Sequence, residues 1–268
     1  MPDAGSQCVT RIRLALIDLD GTVYTGSAVI TGAAAAVQRL RELGIAVRFT
    51  TNTDSVTPST LVGRLRSMRV DARLDEVLTP VVLARRLLDQ TAGRALLIGS
   101  PDVRTVLHER IATGDDRVTH VIVADPSYGA AYTDVDRAFR AIRDGAQLVA
   151  MQMGRWVLRD DGAHLDTGGW VRLLEYAAEV EALVLGKPSP AFFELALDSA
   201  GVEAADAVVI GDDRASDIAG GNAAGCHTIL VRTGKGEVSR GPEPELIAAS
   251  LAEVPDVIVN KWATRESR

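Results

Sequence analysis

Two aspartates follow an apolar run near the start of the chain. Residues 14–17, Leu-Ala-Leu-Ile, predict a buried strand, and Asp18 and Asp20 come directly after it. Because side chains alternate along an extended chain, these two carboxylates face the same side. Carboxylates are costly to bury and repel each other, so a metal ion or another charge has to compensate them.

Three further apolar runs also end in polar residues. Thr51 and Asn52 follow residues 45–50, Lys187 follows residues 182–185, and Asp212 and Asp213 follow residues 207–210, with Asp217 on the next turn. Ligands of open parallel sheets bind beyond the carboxyl ends of the strands. If these strands are neighbours, carboxylates, a hydroxyl group and an amine converge at one edge of a sheet.

The chemistry available to such a group of residues is specific. The carboxylates of Asp18, Asp20 and Asp212 would form an oxygen-only set of the kind that suits Mg²⁺. One oxygen of Asp18 would stay free to attack phosphorus and form an aspartyl-phosphate. Asp20 could then protonate the leaving oxygen and later activate a water molecule.

A phosphate substrate needs positive charge beside this nucleophile. Two like unit charges 4 Å apart repel by ~1 kcal/mol in water and ~4 kcal/mol at an effective dielectric near 20. Mg²⁺ and Lys187 would supply the positive charge. Thr51 and the backbone N–H groups near Asn52 would hold the phosphoryl oxygens, and we place Thr53 with them as a substrate-binding residue.

Short apolar runs alternate with helix-like stretches along most of the chain, which predicts a parallel sheet covered by helices. The predicted strands are residues 14–17, 45–50, 94–98, 119–124, 146–151, 182–185, 207–210 and 227–231. The clearest predicted helices are residues 31–44, with Thr31 as N-cap, 134–145 and 192–201. Thr57-Pro58 and Thr79-Pro80 predict two more helix starts, and residues 155–166 predict a hairpin.

The composition excludes several classes of protein. The 268 residues carry a net charge of −7 and are 47% hydrophobic, so a sizeable core is expected. Lys and Arg do not form a strip, which argues against nucleic-acid binding, and there is no apolar run of about 18 residues for a membrane span. The first residues lack the layout of a signal peptide, and Cys8 and Cys226 do not make a disulfide framework, so we expect a cytoplasmic protein.

Four motifs resemble those of the haloacid-dehalogenase-like hydrolase superfamily: Asp-Leu-Asp-Gly-Thr from Asp18, Thr-Thr-Asn ending at Asn52, Gly-Lys-Pro around Lys187, and Gly-Asp-Asp-Arg-Ala-Ser-Asp ending at Asp217. The resemblance implies that Asp18 is the nucleophile and Asp20 the general acid and base. It implies that Thr51 binds phosphate and that Lys187 bridges the nucleophile and the phosphate.

The same resemblance implies a Mg²⁺ site formed by Asp18, Asp212 and the backbone carbonyl of Asp20. Asp217 would orient the lysine or a water at the metal, and Asp213 is a weaker candidate for a supporting role around it.

The long segment between the second and third motifs has strands and helices of its own, and it resembles a large α/β cap. We therefore expect a doubly wound, Rossmann-like α/β core at residues 1–78 and 184–268 with a smaller α/β cap inserted at residues 79–183. Such caps occur in the subfamily of NagD and the pyridoxal phosphate phosphatases, including the branch of phospholysine phosphohistidine inorganic pyrophosphate phosphatase. The resemblance implies a small-molecule phosphate ester as substrate and, by analogy, a homodimer.

Two features of the cap bear on substrate choice. Met151-Gln152 replaces a Thr-Asn pair that relatives often carry, so the relatives' substrates do not transfer directly. Arg155 and Trp156 begin the predicted hairpin, where an arginine beside an aromatic ring suits an anionic, planar or sugar-like substrate. Structural packing is the alternative role for these two residues.

Three other functions are alternatives to a phosphatase. A phosphotransferase or mutase would use the same aspartyl-phosphate chemistry, and these motifs do not exclude it. A phospho-acceptor signalling domain also uses acids, a threonine and a lysine at strand ends, but it is about half as long and carries its acceptor on a later strand. A dinucleotide-binding domain is rejected because residues 219–225 lack the required glycine spacing.

Overall fold

A computed structural model describes residues 9–159, 161–235, 238 and 240–264. The chain forms two compact units: unit 1 comprises Met1–Thr51, Val62–Leu78 and Phe193–Arg268, and unit 2 comprises Asn52–Leu61 and Thr79–Phe192. This division differs from the core and cap boundaries expected from the sequence, which placed residues 52–61 and 184–192 in the core. The functional division into core and cap stays a prediction.

The secondary structure alternates between strands and helices. The strands are β1 (Val9–Thr10), β2 (Leu14–Asp18), β3 (Tyr24–Thr25), β4 (Ala28–Val29), β5 (Ala46–Thr50), β6 (Val77–Leu78), β7 (Ala95–Ile98), β8 (His120–Val123), β9 (Gln147–Ala150), β10 (Trp156–Arg159), β11 (Gly162–Leu165), β12 (Leu183–Val184), β13 (Ala207–Gly211), β14 (His227–Val231), β15 (Leu246–Ala248) and β16 (Ala263–Thr264). The α-helices are α1 (Ala33–Glu42), α2 (Pro58–Ser67), α3 (Pro80–Gln90), α4 (Pro101–Leu107), α5 (Tyr132–Arg143), α6 (Thr167–Ala178), α7 (Pro190–Asp198), α8 (Ala219–Ala223) and α9 (Val254–Trp262).

Unit 1 is built on a six-stranded sheet with the order β15-β14-β13-β2-β5-β6. All its neighbouring strands are parallel, as expected from the alternation of strands and helices. The chain runs outward from β2 through β5 to β6, then returns to β13 and runs outward through β14 to β15. The boundary between β2 and β13 is therefore the switch point at which doubly wound sheets bind ligands.

The central strands of this sheet are apolar because both of their faces are covered. Every residue of β2 and of β13 is buried. Near-continuous apolar runs of this kind are typical of parallel strands with helices on both sides. The predicted Rossmann-like α/β fold class is confirmed.

Unit 2 contains a second parallel sheet, with the order β12-β9-β8-β7, and an antiparallel hairpin of β10 and β11. Strand β12 belongs to this sheet because Leu183 pairs with Val149 and Val184 pairs with Ala150. The condition that all four of these strands are neighbours is therefore not met by residues 182–185, which do not pair with the strands of Asp18 and Asp212. A two-residue apolar strand does not show in its own sequence which sheet it will join.

The predicted helix starts are mostly confirmed. Thr79 accepts a hydrogen bond from the N–H of Val82 at 3.4 Å, and Thr57 accepts one from the N–H of Thr60 at 3.1 Å. Thr31 is not the N-cap of α1, because Gly32 takes that position with a left-handed φ of 81°. Gly32 can adopt this conformation at little cost, which moves the helix start one residue on.

Two further sequence expectations concern the cysteines and the membrane. Cys226 is a buried free cysteine, whereas Cys8 lies outside the described residues. In the part of the chain that the structure describes, none of the helices has both the length and the apolar content needed to cross a bilayer.

Helix α6 offers a direct test of the packing of unit 2. Leu174 is 1% exposed within the core of unit 2, whereas the adjacent Leu173 is 50% exposed. We expect Leu174→Ala to lower the free energy of unfolding by about 2–5 kcal/mol, because it removes buried methyl groups and leaves a cavity. The matched Leu173→Ala should change it by about 0.5 kcal/mol. Urea unfolding followed by circular dichroism measures both, and equal losses would contradict this orientation of α6.

Candidate active site

Three carboxylates meet beside the switch point of the unit 1 sheet. Asp18 is the last residue of β2, Asp212 directly follows β13, and Asp217 lies in the π-helical turn Arg214–Ile218. Their carboxylate oxygens lie within 4.8 Å of one another, and all three side chains are buried. We refer to these three residues as the acidic cluster.

The surroundings of the acidic cluster disfavour the ionised form of Asp212. Burial raises the pKa of Asp212 to about 6; the N–H of Lys235 opposes this rise, and the carboxylates of Asp217 and Asp213 add to it. A bound cation would reverse the effect, because it favours the ionised form of every carboxylate near it. The donors are all oxygens, and this set fits Mg²⁺.

Asp20 is placed differently from Asp18. The carbonyl of Leu19 accepts hydrogen bonds from the N–H groups of Val23 at 2.8 Å and Tyr24 at 3.1 Å, so the chain turns sharply after β2. The side chain of Asp20 is exposed on this turn and does not join the acidic cluster. Gly21 has a φ of 87°, and a Cβ atom at this position would overlap the carboxylate of Asp212.

Tyr24 anchors the end of this turn. Its carbonyl accepts the N–H of Gly21 at 2.7 Å, and its buried ring lies 4.0 Å from the guanidinium of Arg64, which also donates to the carbonyl of Gly26. Burial raises the pKa of Tyr24 to about 12, with Arg64 lowering it and Asp20 and Asp18 raising it. The tyrosine side chain therefore stays protonated. The backbone N–H and carbonyl of Tyr24 hold the chain on either side of Asp20.

A loop after β14 completes the surroundings of the acidic cluster. Thr233 donates its hydroxyl to the carbonyl of Gly21 at 2.6 Å, and the N–H of Lys235 donates to Oδ2 of Asp212 at 2.6 Å. The ammonium of Lys235 lies 3.0 Å from Oδ2 of Asp213. Sequence reasoning missed this loop, although the rule that functional residues follow parallel strands applies to the predicted strand at residues 227–231 as well.

Asp213 and Asp217 support each other through the backbone. The N–H of Asp213 donates to Oδ2 of Asp217 at 3.1 Å, and Oδ1 of Asp213 accepts the N–H of Ala215 at 2.9 Å. Asp217, which was expected beside the metal site, thus lies in the cluster itself. Asp213 faces the turn and Lys235 instead.

The second motif starts at the end of β5. Thr51 is 3% exposed, and its N–H donates to the carbonyl of Leu78 at 3.2 Å, which extends the pairing of β5 with β6. Thr51 therefore has a fixed backbone position in unit 1.

Asn52 and Lys187 meet within unit 2. Oδ1 of Asn52 accepts the N–H of Lys187 at 2.7 Å, and Nδ2 of Asn52 donates to the carbonyl of Lys187 at 2.9 Å. Lys187 is 4% exposed, and a Cβ atom on Gly186 would come within 2.7 Å of Oδ1 of Asn52. The side chain of Asn52 thus holds the backbone of Lys187, whereas the predicted substrate contacts were those of the backbone N–H groups near Asn52. Thr53, the next residue, lies half-buried.

Asp54 is a buried carboxyl that sequence reasoning missed. It is 5% exposed, and its Oδ2 accepts a hydrogen bond from the hydroxyl of Thr167 at 2.7 Å. Burial raises the pKa of Asp54 to about 7; the hydrogen bond from Thr167 lowers it, whereas Asp166 and Asp125 raise it further. The only signal in the sequence was its place two residues after Asn52.

The cap residues proposed for substrate choice lie on the hairpin of unit 2. Arg155 is exposed, and Trp156 is 62% exposed and pairs with Leu165 across the hairpin. Gln152 is buried, and its Nε2 donates to Oδ1 of Asp166 at 2.7 Å. Packing against the core does not explain the exposed ring of Trp156.

Comparison with known proteins identifies the family. A model described as haloacid dehalogenase-like hydrolase matches residues 15–110, and a HAD-hydrolase-like model matches residues 184–254. The haloacid dehalogenase-like hydrolase domain-containing protein 2 of Bos taurus is 35% identical over 256 residues, which cover 92% of this chain and 96% of that protein. The chain belongs to the haloacid dehalogenase-like hydrolase family.

Other relatives of this haloacid dehalogenase-like hydrolase carry phosphatase names. The phospholysine phosphohistidine inorganic pyrophosphate phosphatase of Bos taurus is 35% identical over 258 residues, covering 92% of this chain and 94% of that protein. The p-nitrophenyl phosphatase structure from Archaeoglobus fulgidus superposes with a TM-score of 0.85 over 92% of this chain and 99% of that one. At 24% identity, that structure supports the fold alone. The predicted family and hydrolase class are confirmed.

The buried carboxyl of Asp54 gives a prediction about pH. Its folded pKa of about 7 exceeds its usual value of 3.8, so the folded protein binds this proton more tightly than the unfolded chain. The group therefore lowers the free energy of unfolding as pH rises from about 4 to about 7, by a few kcal/mol at most. We expect Asp54→Asn to gain stability relative to the wild type by that order between pH 4.5 and 8 in urea unfolding.

Thr167→Val is the matched contrast for this test. It removes the hydroxyl that donates to Asp54, and an ionised carboxylate needs this donor more than a neutral carboxyl does. It should therefore destabilise the protein more at pH 8 than at pH 4.5. A constant difference between Asp54→Asn and the wild type at both pH values would contradict the assignment.

Proposed function

We propose that this haloacid dehalogenase-like hydrolase is a Mg²⁺-dependent phosphatase that hydrolyses a small phosphorylated molecule through an aspartyl-phosphate on Asp18. The observation that carries the proposal is the buried acidic cluster at the switch point of the unit 1 sheet. Family membership and the phosphatase names of relatives support the same reaction class.

Asp18 is the proposed nucleophile because it ends the central strand of the sheet and its carboxylate joins the cluster. One oxygen of Asp18 forms a bond to phosphorus while the bond from phosphorus to the leaving oxygen breaks. The electron pair stays on the leaving oxygen, which takes a proton from Asp20. Water then attacks the same phosphorus, and the bond between phosphorus and Asp18 breaks to release inorganic phosphate.

Asp20 is suited to the role of acid and base by its position on the turn. Its side chain is exposed, so it can exchange protons with solvent between the two steps, whereas that of Asp18 is buried. The backbone that carries Asp20 is fixed by the hydrogen bonds to the carbonyl of Leu19. It is also fixed by Tyr24, whose ring packs beneath Arg64. Asp20 thus gives its proton to the leaving oxygen and later takes one from water.

The acidic cluster of Asp18, Asp212 and Asp217 would hold Mg²⁺, together with the backbone carbonyl of Asp20 that the family resemblance adds. When bound, Mg²⁺ supplies the positive charge that offsets these carboxylates and the phosphoryl oxygens. Asp213 would not bind the metal ion directly and would have a supporting role, since its carboxylate pairs with Lys235.

Positive charge and hydrogen bonds from the second and third motifs complete the proposal. Lys187 would neutralise phosphoryl charge, and Thr51 and Thr53 would donate hydrogen bonds to the phosphoryl oxygens. For Asn52 we propose a different part from direct side-chain binding, because both atoms of its amide group are used by the backbone of Lys187. It would fix the position of the lysine.

The substrate is proposed only at the level of a small phosphate ester. The names of relatives mention phospholysine, phosphohistidine, inorganic pyrophosphate and p-nitrophenyl phosphate as substrates of those proteins. An activated aryl phosphate is therefore a suitable first assay substrate. The exposed Arg155 and Trp156 remain our candidates for contacts with the leaving group.

The nucleophile can be tested by one substitution. We expect Asp18→Asn to reduce the hydrolysis of p-nitrophenyl phosphate at least about a hundredfold, because an amide oxygen is a far weaker nucleophile than a carboxylate. Asp75→Asn makes the same chemical change at an exposed carboxylate of unit 1 and should leave the rate unchanged. Circular dichroism checks the fold. A rate above a few per cent of the wild type in Asp18→Asn would rule out this nucleophile.

The metal can be tested by removal and return. We expect activity to vanish in EDTA and to recover with Mg²⁺, because the cluster offers only oxygen ligands. Asp212→Ala should raise the Mg²⁺ concentration needed for half-maximal activity more than Asp213→Ala does, since only Asp212 belongs to the cluster. Full activity without metal would refute the site, and the reverse order of the two variants would show that the wrong aspartate was chosen.

A further inference from the structure

We propose that Lys235 sets the affinity of the acidic cluster for Mg²⁺, as a built-in counter-cation whose charge opposes that of the metal ion. This inference rests on the proposed Mg²⁺ site. It assigns a role to a residue outside the four sequence motifs. This residue lies on the loop that follows β14.

The loop 233–235 is fitted closely to the site residues. Thr233 contacts Gly21 and Lys235 contacts Asp212, both through hydrogen bonds of 2.6 Å. Gly234 between them has a φ of 57°, and a Cβ atom there would overlap the carboxylate of Asp212 and approach Cα of Gly21 to 2.6 Å. Only glycine lets the backbone come this close, so the loop conformation places Lys235 beside the cluster.

The backbone and the side chain of Lys235 act on different carboxylates. Its N–H donates to Oδ2 of Asp212, which reserves one oxygen of that carboxylate and leaves Oδ1 for other partners. Its ammonium donates to Oδ2 of Asp213 at 3.0 Å, which holds the positive charge at the residue that follows Asp212. A substitution of the side chain therefore removes the charge without removing the backbone hydrogen bond.

The electrostatic coupling between Lys235 and the cluster is reciprocal. The ammonium of Lys235 lies 3.0 Å from the carboxylate of Asp213, and its backbone N–H contacts the carboxylate of Asp212. The carboxylates stabilise the charged ammonium, and the ammonium stabilises their ionised forms to the same extent. It must also repel a divalent cation that binds to the same carboxylates.

The side chain of Lys235 is 70% exposed, which limits the size of the effect and gives it a signature. Solvent screens an exposed charge, so its removal should tighten Mg²⁺ binding about three- to tenfold at low salt. Added salt shortens the range of the interaction, and the difference should shrink accordingly. A residue that merely supports the loop would weaken Mg²⁺ binding when replaced, and salt would not change that.

The test is a calorimetric titration of the substrate-free protein with Mg²⁺ alone. Lys235→Met keeps most of the aliphatic stem without the charge, and Lys235→Arg keeps the charge. We expect Lys235→Met to bind Mg²⁺ about three- to tenfold more tightly than the wild type at about 20 mM ionic strength, with a smaller difference at about 0.5 M. Lys235→Arg should stay within about twofold of the wild type.

The paired carboxylate supplies a charge-matched control. Asp213→Asn should weaken Mg²⁺ binding, because it removes negative charge near the cluster and leaves the ammonium. The double variant Lys235→Met with Asp213→Asn restores the net charge of the pair and should return close to the wild-type affinity. Lys235→Gln is the second neutral variant should Lys235→Met fold poorly, with circular dichroism as the check.

The outcomes separate this inference from the function on which it rests. If the wild type does not bind Mg²⁺ at millimolar concentrations, the proposed metal site itself is wrong. If the wild type binds Mg²⁺ but neither neutral variant binds it more tightly, the role of Lys235 is overturned and the metal site stands. Tighter binding by Lys235→Arg as well would also overturn it, because the effect would then not depend on charge.

Discussion

The repulsion among three buried carboxylates is the constraint on which the rest of unit 1 depends. Asp18, Asp212 and Asp217 can meet only because β2 and β13 are neighbours at the point where the strand order reverses. The space around them admits no additional carbon atoms. Cβ atoms on Gly21 and Gly234 would overlap Asp212, and one on Gly211 would overlap Asp217. The glycines of the first and fourth motifs are thus a steric consequence of bringing the carboxylates together.

Backbone N–H groups offset part of this negative charge without filling the site. Asp213 donates its N–H to Asp217, and Lys235 donates its N–H to Asp212. Such hydrogen bonds favour the ionised forms, yet burial still raises the pKa of Asp212 to about 6. The remaining deficit is the physical reason why we propose a cation in this place, and it connects the packing of the sheet to the proposed phosphatase chemistry.

The sequence predicts most of the sheet because buried parallel strands are short apolar runs, and β2, β13 and β14 are close to their predicted bounds. The sequence does not predict which sheet β12 joins, because a two-residue apolar strand carries too little information to identify its pairing partner. In α6, Leu173 is half exposed, whereas Val171 and Leu174 are buried. Apolar residues at helical spacing do not by themselves identify which stripe of a helix faces the core.

The limits of the site prediction have the same origin. Asp18 and Asp212 could be predicted as site residues because each lies at the end of a recognisable strand. Lys235 and Asp54 could not, because their roles depend on contacts with Asp212 and Thr167 that only the structure shows. Asn52 was predicted to bind substrate with the backbone N–H groups near it, and this stays a prediction. Its side chain pairs with both backbone groups of Lys187 as another peptide unit would, a contact that the sequence did not predict. An amide that pairs with a backbone in this way fixes the position of the nearly buried lysine, and this positioning is the contribution that we propose for Asn52.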